Sequence, residues 1–227
     1  MSLEIDTLSC RRGGRWVFRD LSFRAEAGEA VLLRGPNGAG KSTLLRVISG
    51  MLPPMGGDVR YQNVSLQADR ASLQEQIAYA GHLDAVKPAL TVRQNLALWA
   101  GIFGVGDAGI DPVLDRFGLG AISDRPVAQC SAGQKRRLGL ARLPVIGRPL
   151  WLLDEPTVSL DADATALVAD LIRDHCADGG LVVAATHIDL GLADPRVLEL
   201  RGEVASELPS EGAESGNDDA FLAGDWT

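Results

Sequence analysis

Apolar residues recur along this chain with two different periods, and each period predicts a different element. The segments LEIDTLSC (3–10) and WVFRDLSFRAE (16–26) alternate in part and are separated by RRGGR, which predicts an antiparallel hairpin. Three further runs, EAVLLRG (29–35), PLWLLDE (149–155) and LVVAATH (181–187), are apolar almost throughout, the pattern of parallel strands buried on both faces. Between the last two, Ala164, Leu167, Val168, Leu171 and Ile172 fall at i, i+3, i+4, i+7 and i+8, one face of an amphipathic helix. Strand, helix, strand is the right-handed crossover unit of an α/β sheet. A helix is also expected from Lys41 to Ser49. Val92, Leu96, Trp99 and Phe103 share a face of another, which with 111–117 and 131–143 forms a mostly helical insert over about residues 87–143. Pro144 is expected to end or kink the last of these helices near Leu143, because proline removes an N–H and crowds the preceding turn.

Composition sharpens this outline. A length of 227 residues suits one large α/β domain with a subdomain. The formal charge is −8, but seven acidic residues and no Lys or Arg lie in 203–227, so the rest carries 22 basic against 23 acidic side chains. The expectation is a nearly neutral domain over 1–204 and an acidic, flexible tail over 205–227, read from its Ser, Gly, Glu and Asp content. No basic footprint points to nucleic acid. Cys10, Cys130 and Cys176 are odd in number and form no CxxC pair, which argues against a zinc site or disulfide framework and suits a reducing compartment. The longest run without a charge, 94–106, is thirteen residues, short of the ~20 that cross a bilayer. With no basic segment leading into an apolar stretch at the N-terminus, a cytoplasmic location is expected.

The chemistry concentrates at the ends of the apolar runs. Gly35, Pro36, Asn37, Gly38, Ala39, Gly40, Lys41, Ser42 and Thr43 read GPNGAGKST between a predicted strand and a predicted helix, the setting of a phosphate-binding loop. Its glycines let the backbone wrap a β-phosphate, Lys41 supplies charge to the β- and γ-phosphates, and the Ser42 hydroxyl is a Mg²⁺ ligand. Asp154, at the end of a buried strand, stands where Mg²⁺ is held, and Glu155 beside it is placed to deprotonate a water. His187 ends a neighbouring strand and reaches the same crevice. A second anion cradle, CSAGQ at 130–134, offers the Ser131 hydroxyl and the N–H groups of a helix start, but neither lysine nor metal ligand. It grips one end of a phosphate chain only. His175 has no such placement and reads as an ordinary helix residue, and Cys130 as a small buried hydrophobe.

Taken together these stretches closely resemble the nucleotide-binding domain of ATP-binding cassette (ABC) proteins. GPNGAGKST matches the Walker A motif, CSAGQ is a variant of the LSGGQ signature, LWLLDE matches Walker B, SLD at 159–161 the D-loop, and His187 the switch histidine, over roughly residues 1–204. The resemblance implies a P-loop NTPase fold with a RecA-like parallel-sheet core, an antiparallel β subdomain and a helical signature subdomain. It also implies ATP and Mg²⁺ as cofactors and a homodimer in which Ser131, Gly133, Gln134 and Asp161 of one protomer close over ATP held by the other. Within the family, GHLDAVKPALTVRQNL, CSAGQKRRLGLARL and PLWLLDEP are similar to the ATP-binding CcmA subunits of the cytochrome c maturation system, often called the haem exporter. That narrower likeness implies a peripheral subunit on the cytoplasmic face of the inner membrane, with membrane partners of the CcmB, CcmC and CcmD type. No residue pattern points to a haem site on this chain.

Two departures from the family pattern matter. His82 stands where most ABC proteins place the Q-loop glutamine, so an imidazole is expected to act there through water or hydrogen bonding. Arg12 stands where most have an aromatic ring on the adenine, leaving Trp16, Phe18 or the guanidinium itself to stack. The competing classes are the ATPase of another small-substrate exporter, a soluble ATP-gated clamp, and a module that binds ATP and scarcely hydrolyses it. A clamp would carry two cassettes or a long coiled coil, and Glu155 argues against the last.

Overall fold

A computed structural model describes residues 1–201. The acidic stretch 205–227 lies outside the described residues. The predicted hairpin is formed by β1 (Ser2–Arg12) and β2 (Arg15–Glu26), antiparallel and turning at Gly13–Gly14, and β4 (Gly56–Tyr61) pairs with the other edge of β1. With β5 (Val64–Ser65) they make a four-stranded sheet ordered β2-β1-β4-β5.

The three apolar runs become β3 (Ala30–Arg34), β7 (Leu150–Asp154) and β8 (Leu181–Ala185). Flanked by β6 (Ile77–Ala80) and β9 (Arg196–Glu199), they form a parallel sheet ordered β6-β7-β8-β3-β9. Alternate residues serve opposite faces. Val31, Leu33, Leu152 and Val183 pack with α1 (Lys41–Ile48) and the antiparallel sheet, while Leu32, Trp151, Leu153 and Val182 pack with the helices on the other side. Burial on both faces is why these strands read as unbroken hydrophobic runs. The fold is therefore the α/β arrangement that the pattern implies.

On the second face lie α3 (Val92–Ile102), α4 (Ile110–Arg116), α5 (Ala132–Ile146) and α6 (Ala162–Ala177), joined to a common core through Leu96, Leu114, Leu138 and Val168. A short α2 (Arg70–Gln74) precedes β6. The expectation for Pro144 is corrected: α5 runs through it to Ile146 and stops at Gly147, which is left-handed at φ 60°. One missing N–H is tolerated because Leu143, Val145 and Ile146 are all buried, and the glycine supplies the αL terminator at low cost. Trp99 and Phe103 also differ from their expected burial, standing at the edge of the core with tilted rings 5.9 Å apart.

Candidate nucleotide site

Strand register decides which loops meet. Asp154 lies level with Ala185, Ala185 with Leu33, and Ala80 with Leu153, so the chain leaves β3, β6, β7 and β8 along one rim. Ligands in open α/β sheets bind beyond the carboxyl ends of the strands. Loop 35–40, the start of loop 81–85, Glu155 and His187 all gather there.

The loop after β3 is tight at two glycines. A Cβ on Gly35 (φ 135°) would fall 2.1 Å from the Leu200 carbonyl oxygen, and one on Gly40 (φ 99°) 2.4 Å from Val17 Cγ1. At exposed Gly38 nothing lies within 4 Å, so the outer side of the loop is open to a ligand. Pro36 and Asn37 are exposed beside it, whereas Ala39 and Thr43 are buried. Lys41 opens α1, and its ammonium donates to the carbonyl oxygens of Gly35 (2.7 Å) and Pro36 (3.0 Å), poised over the loop it serves. The Ser42 hydroxyl donates to Asp154 Oδ1 at 2.8 Å across 112 residues of sequence.

Asp154 Oδ2 in turn accepts from the Tyr79 hydroxyl at 3.4 Å. Burial first, and the Asp154 charge second, raise the Tyr79 pKa, so the phenol stays protonated as a donor. Glu155 Oε2 is 3.0 Å from Nδ1 of His187, so the two come together as the strand ends imply. Two oxygens at hydrogen-bond distance, Ser42 Oγ and Asp154 Oδ1, fit a hard cation that takes few protein ligands and completes its shell with phosphate and water.

His82 is not drawn into this cluster. It is exposed, makes no hydrogen bond to Asp154, Glu155 or His187, and lines a neighbouring groove of about 540 Å³ with Arg46, Tyr79, Leu83, Trp99 and Arg142. Arg142 is buried beneath the Trp99 ring at 4.8 Å, and burial followed by repulsion from Arg136 lowers its pKa to about 10. Of the two aromatics considered for base stacking, Phe18 is 6 % exposed in the core, while half-buried Trp16 has the guanidiniums of Arg19 and Arg11 over its ring at 4.3 and 5.9 Å.

At the second cradle, Ser131 caps α5 in a reciprocal capping box. Its hydroxyl accepts from Gln134 N (3.2 Å), and Gln134 Oε1 accepts from Ser131 N (2.9 Å). Asp161 likewise caps α6, accepting from Ala164 N at 2.8 Å. Gly133 sits beside the 159–161 turn, its Cβ direction 3.8 Å from the Ser159 carbonyl oxygen. In the single protomer these polar side chains serve their own helices, and none touches the Lys41 cluster.

The sequence profile described as ABC transporter matches residues 18–158. The chain belongs to the ABC transporter family. A relative from Ruegeria pomeroyi named cytochrome c biogenesis ATP-binding export protein CcmA is 51% identical over 200 residues, 88% of this chain and 91% of that one. Another of the same name from Cereibacter sphaeroides is 48% identical over 218 residues, 96% and 97% of the two chains. A solved ATP-binding subunit of an ABC transporter superposes with a TM-score of 0.75 at 28% identity, covering 82% of this chain and 80% of its own. In this ABC-family chain the loop between β3 and α1 and the end of β7 form the two halves of the candidate nucleotide site. Among its described residues no helix is long and apolar enough to cross a membrane.

Two residues of this candidate site escaped the sequence pattern. Tyr79 is one letter of the short strand IAYA, with nothing to mark it as a partner of Asp154. Arg136 lies within KRR, which reads as a solvated basic face, yet it is buried.

Proposed function

We propose that this chain is the ATP-hydrolysing subunit of an exporter for cytochrome c biogenesis, a translocase ATPase acting as a pair of protomers. The observation that carries the catalytic part is the meeting of two pairs on one rim: Ser42 with Asp154 at 2.8 Å, and Glu155 with His187 at 3.0 Å. Lys41 exchanges its carbonyl partners for β- and γ-phosphate oxygens. Ser42 and Asp154 would hold Mg²⁺, which would supply positive charge to neutralise the phosphates. Glu155 takes the proton of the attacking water, assistance typically worth ~10²–10⁴ in rate. His187 Nδ1, 3.0 Å from Glu155 Oε2, fixes the orientation of that carboxylate. Gly35 to Thr43 form the cradle, and Ser131, Gly133, Gln134 and Asp161 close on the nucleotide of the second protomer.

Residues 1–204 form the nucleotide-binding domain in this reading, with 87–143 as its helical subdomain. The relatives' names support a place in a cytochrome c biogenesis export complex. The subunit works at the cytoplasmic face of the inner membrane as a peripheral protein, with membrane subunits of the CcmB, CcmC and CcmD type. His82 and Leu83, exposed on the groove wall, face those partners.

Glu155→Gln tests the reading. The variant should bind ATP with wild-type affinity, hydrolyse it at least 100-fold more slowly, and elute as a dimer with ATP in size-exclusion chromatography. Wild-type turnover would remove Glu155 as base, and a variant that stays monomeric would remove the shared site.

A further inference from the structure

Arg136 is 5 % exposed, and its guanidinium joins the segments that follow the paired strands β6 and β7, beyond the end of their ladder. Nη2 donates to the Glu155 carbonyl oxygen at 2.7 Å and Nε to that of Pro156 at 3.3 Å. Nη1 donates to the Gly81 carbonyl oxygen at 3.0 Å and to Asp84 Oδ1 at 3.2 Å. One planar fork thus reaches both the backbone of the candidate base and the loop after β6.

The backbone of Glu155 needs holding. Its φ is 50°, in the left-handed region that glycine favours, and it lies just past the end of β7, where the ladder no longer supports it. Its N–H donates to the Ala185 carbonyl oxygen at 2.8 Å, so β8 fixes one side of the residue and Arg136 fixes the other. The direction of the Glu155 side chain toward His187 follows from that two-sided grip. On the loop side, Asp84 rests directly on α5: a Cβ on Gly139 would come within 2.6 Å of the Asp84 carbonyl oxygen. Trp99 Nε1 donates to the Ala85 carbonyl oxygen at 3.3 Å, clamping the same loop from α3. Leu83, between these anchors, is 81 % exposed.

We propose that Arg136 is a positioning residue that holds the Glu155 backbone in its working geometry and ties it to loop 81–85, so that loosening either attachment slows hydrolysis without weakening nucleotide binding. This rests on the reading of Glu155 as the base. The chemistry calls for arginine: four acceptors in three directions match a rigid fork of five N–H donors, whereas a lysine ammonium offers three donors from one point.

The experiment uses the full chain with Mg²⁺ and ATP, measuring kcat, KM and the affinity for a fluorescent ATP analogue, with a thermal melt to check folding. Arg136→Met should lower kcat tenfold or more with affinity within twofold of wild type. Arg136→Lys should recover part of that loss. Gly139→Ala leaves Arg136 in place but pushes Asp84 off the helix, and should reproduce the kcat loss at unchanged affinity. If Arg136→Met does not fold, Arg136→Lys and Gly139→Ala decide the matter. Wild-type kcat in Arg136→Met, or in both of the others, overturns the proposal, as does a parallel loss of affinity and kcat, the mark of general structural damage. Glu155→Gln measured alongside separates the two readings. If it is inactive while Arg136→Met is normal, only the role of Arg136 falls; if it turns over normally, the base assignment falls and the positioning role with it.

Discussion

In the proposed reading, nucleotide affinity turns on Lys41. Its ammonium is nearly buried and already satisfied by two carbonyl oxygens of its own loop, so a phosphate competes with protein acceptors for it and binding is an exchange of partners. Charge-assisted hydrogen bonds contribute roughly 1.5–3 kcal/mol each. Lys41→Ala is therefore expected to weaken ATP affinity by roughly 100-fold, read by equilibrium titration, while the fold persists because α1 still docks through Leu44, Leu45 and Ile48. Cys130 illustrates a quieter role. It is buried in the helical-side core with its thiol 3.8 Å from the Pro126 carbonyl oxygen.

At the scale of elements, β7 and α6 are joined by an unusual contact. The His175 ring stacks on Trp151, centroids 3.8 Å apart at 11°, and its Nε2 lies 3.1 Å from the Pro149 carbonyl oxygen. Burial lowers the His175 pKa, against smaller opposing effects of that carbonyl and of Asp178. The folded state thus resists protonation that the unfolded chain accepts from about pH 6.5 downward. The unfolded state binds more protons below that value, so stability falls as pH drops from about 6.5 toward the lowered folded pKa and is unaffected above about 6.5. His175→Phe keeps a stacking ring and removes the proton site. Melting temperatures from pH 8 to pH 5 should fall less steeply in the variant than in wild type; parallel curves would show that the acid sensitivity lies elsewhere.

For the whole molecule, the two cradles face different tasks. The Lys41 cluster stands on one rim of the sheet, while the α5 start lies next to the 159–161 turn with its capping side chains bonded only to their own helix. In the proposed reading, that separation calls for a head-to-tail pair of protomers. Gly133→Asp sets a carboxylate where the partner's γ-phosphate would lie and has open space for the first side-chain atom, its nearest neighbour being 3.8 Å away. The variant should bind ATP as wild type does, yet neither dimerise in size-exclusion chromatography nor hydrolyse ATP above a hundredth of the wild-type rate, since like charges in a dry interface cost several kcal/mol.

What the sequence determined by itself is what local pattern encodes. Strands buried on both faces must be apolar at every position, a phosphate loop needs glycines at fixed spacing before a helix, and a helix start needs a cap, so EAVLLRG, GPNGAGKST and CSAGQ were legible one stretch at a time. The continuation of α5 past Pro144 was not, because burial of the flanking residues outweighs a single lost hydrogen bond. Nor could spacing reveal that Tyr79 bonds Asp154, that His82 stands apart on the groove wall, or that the middle arginine of KRR turns inward to hold Glu155. Each of these depends on which strand lies beside which and on what a neighbouring helix leaves room for. Those are relations between residues distant in the chain, and only the folded sheet order β6-β7-β8-β3-β9 brings them within reach of one another.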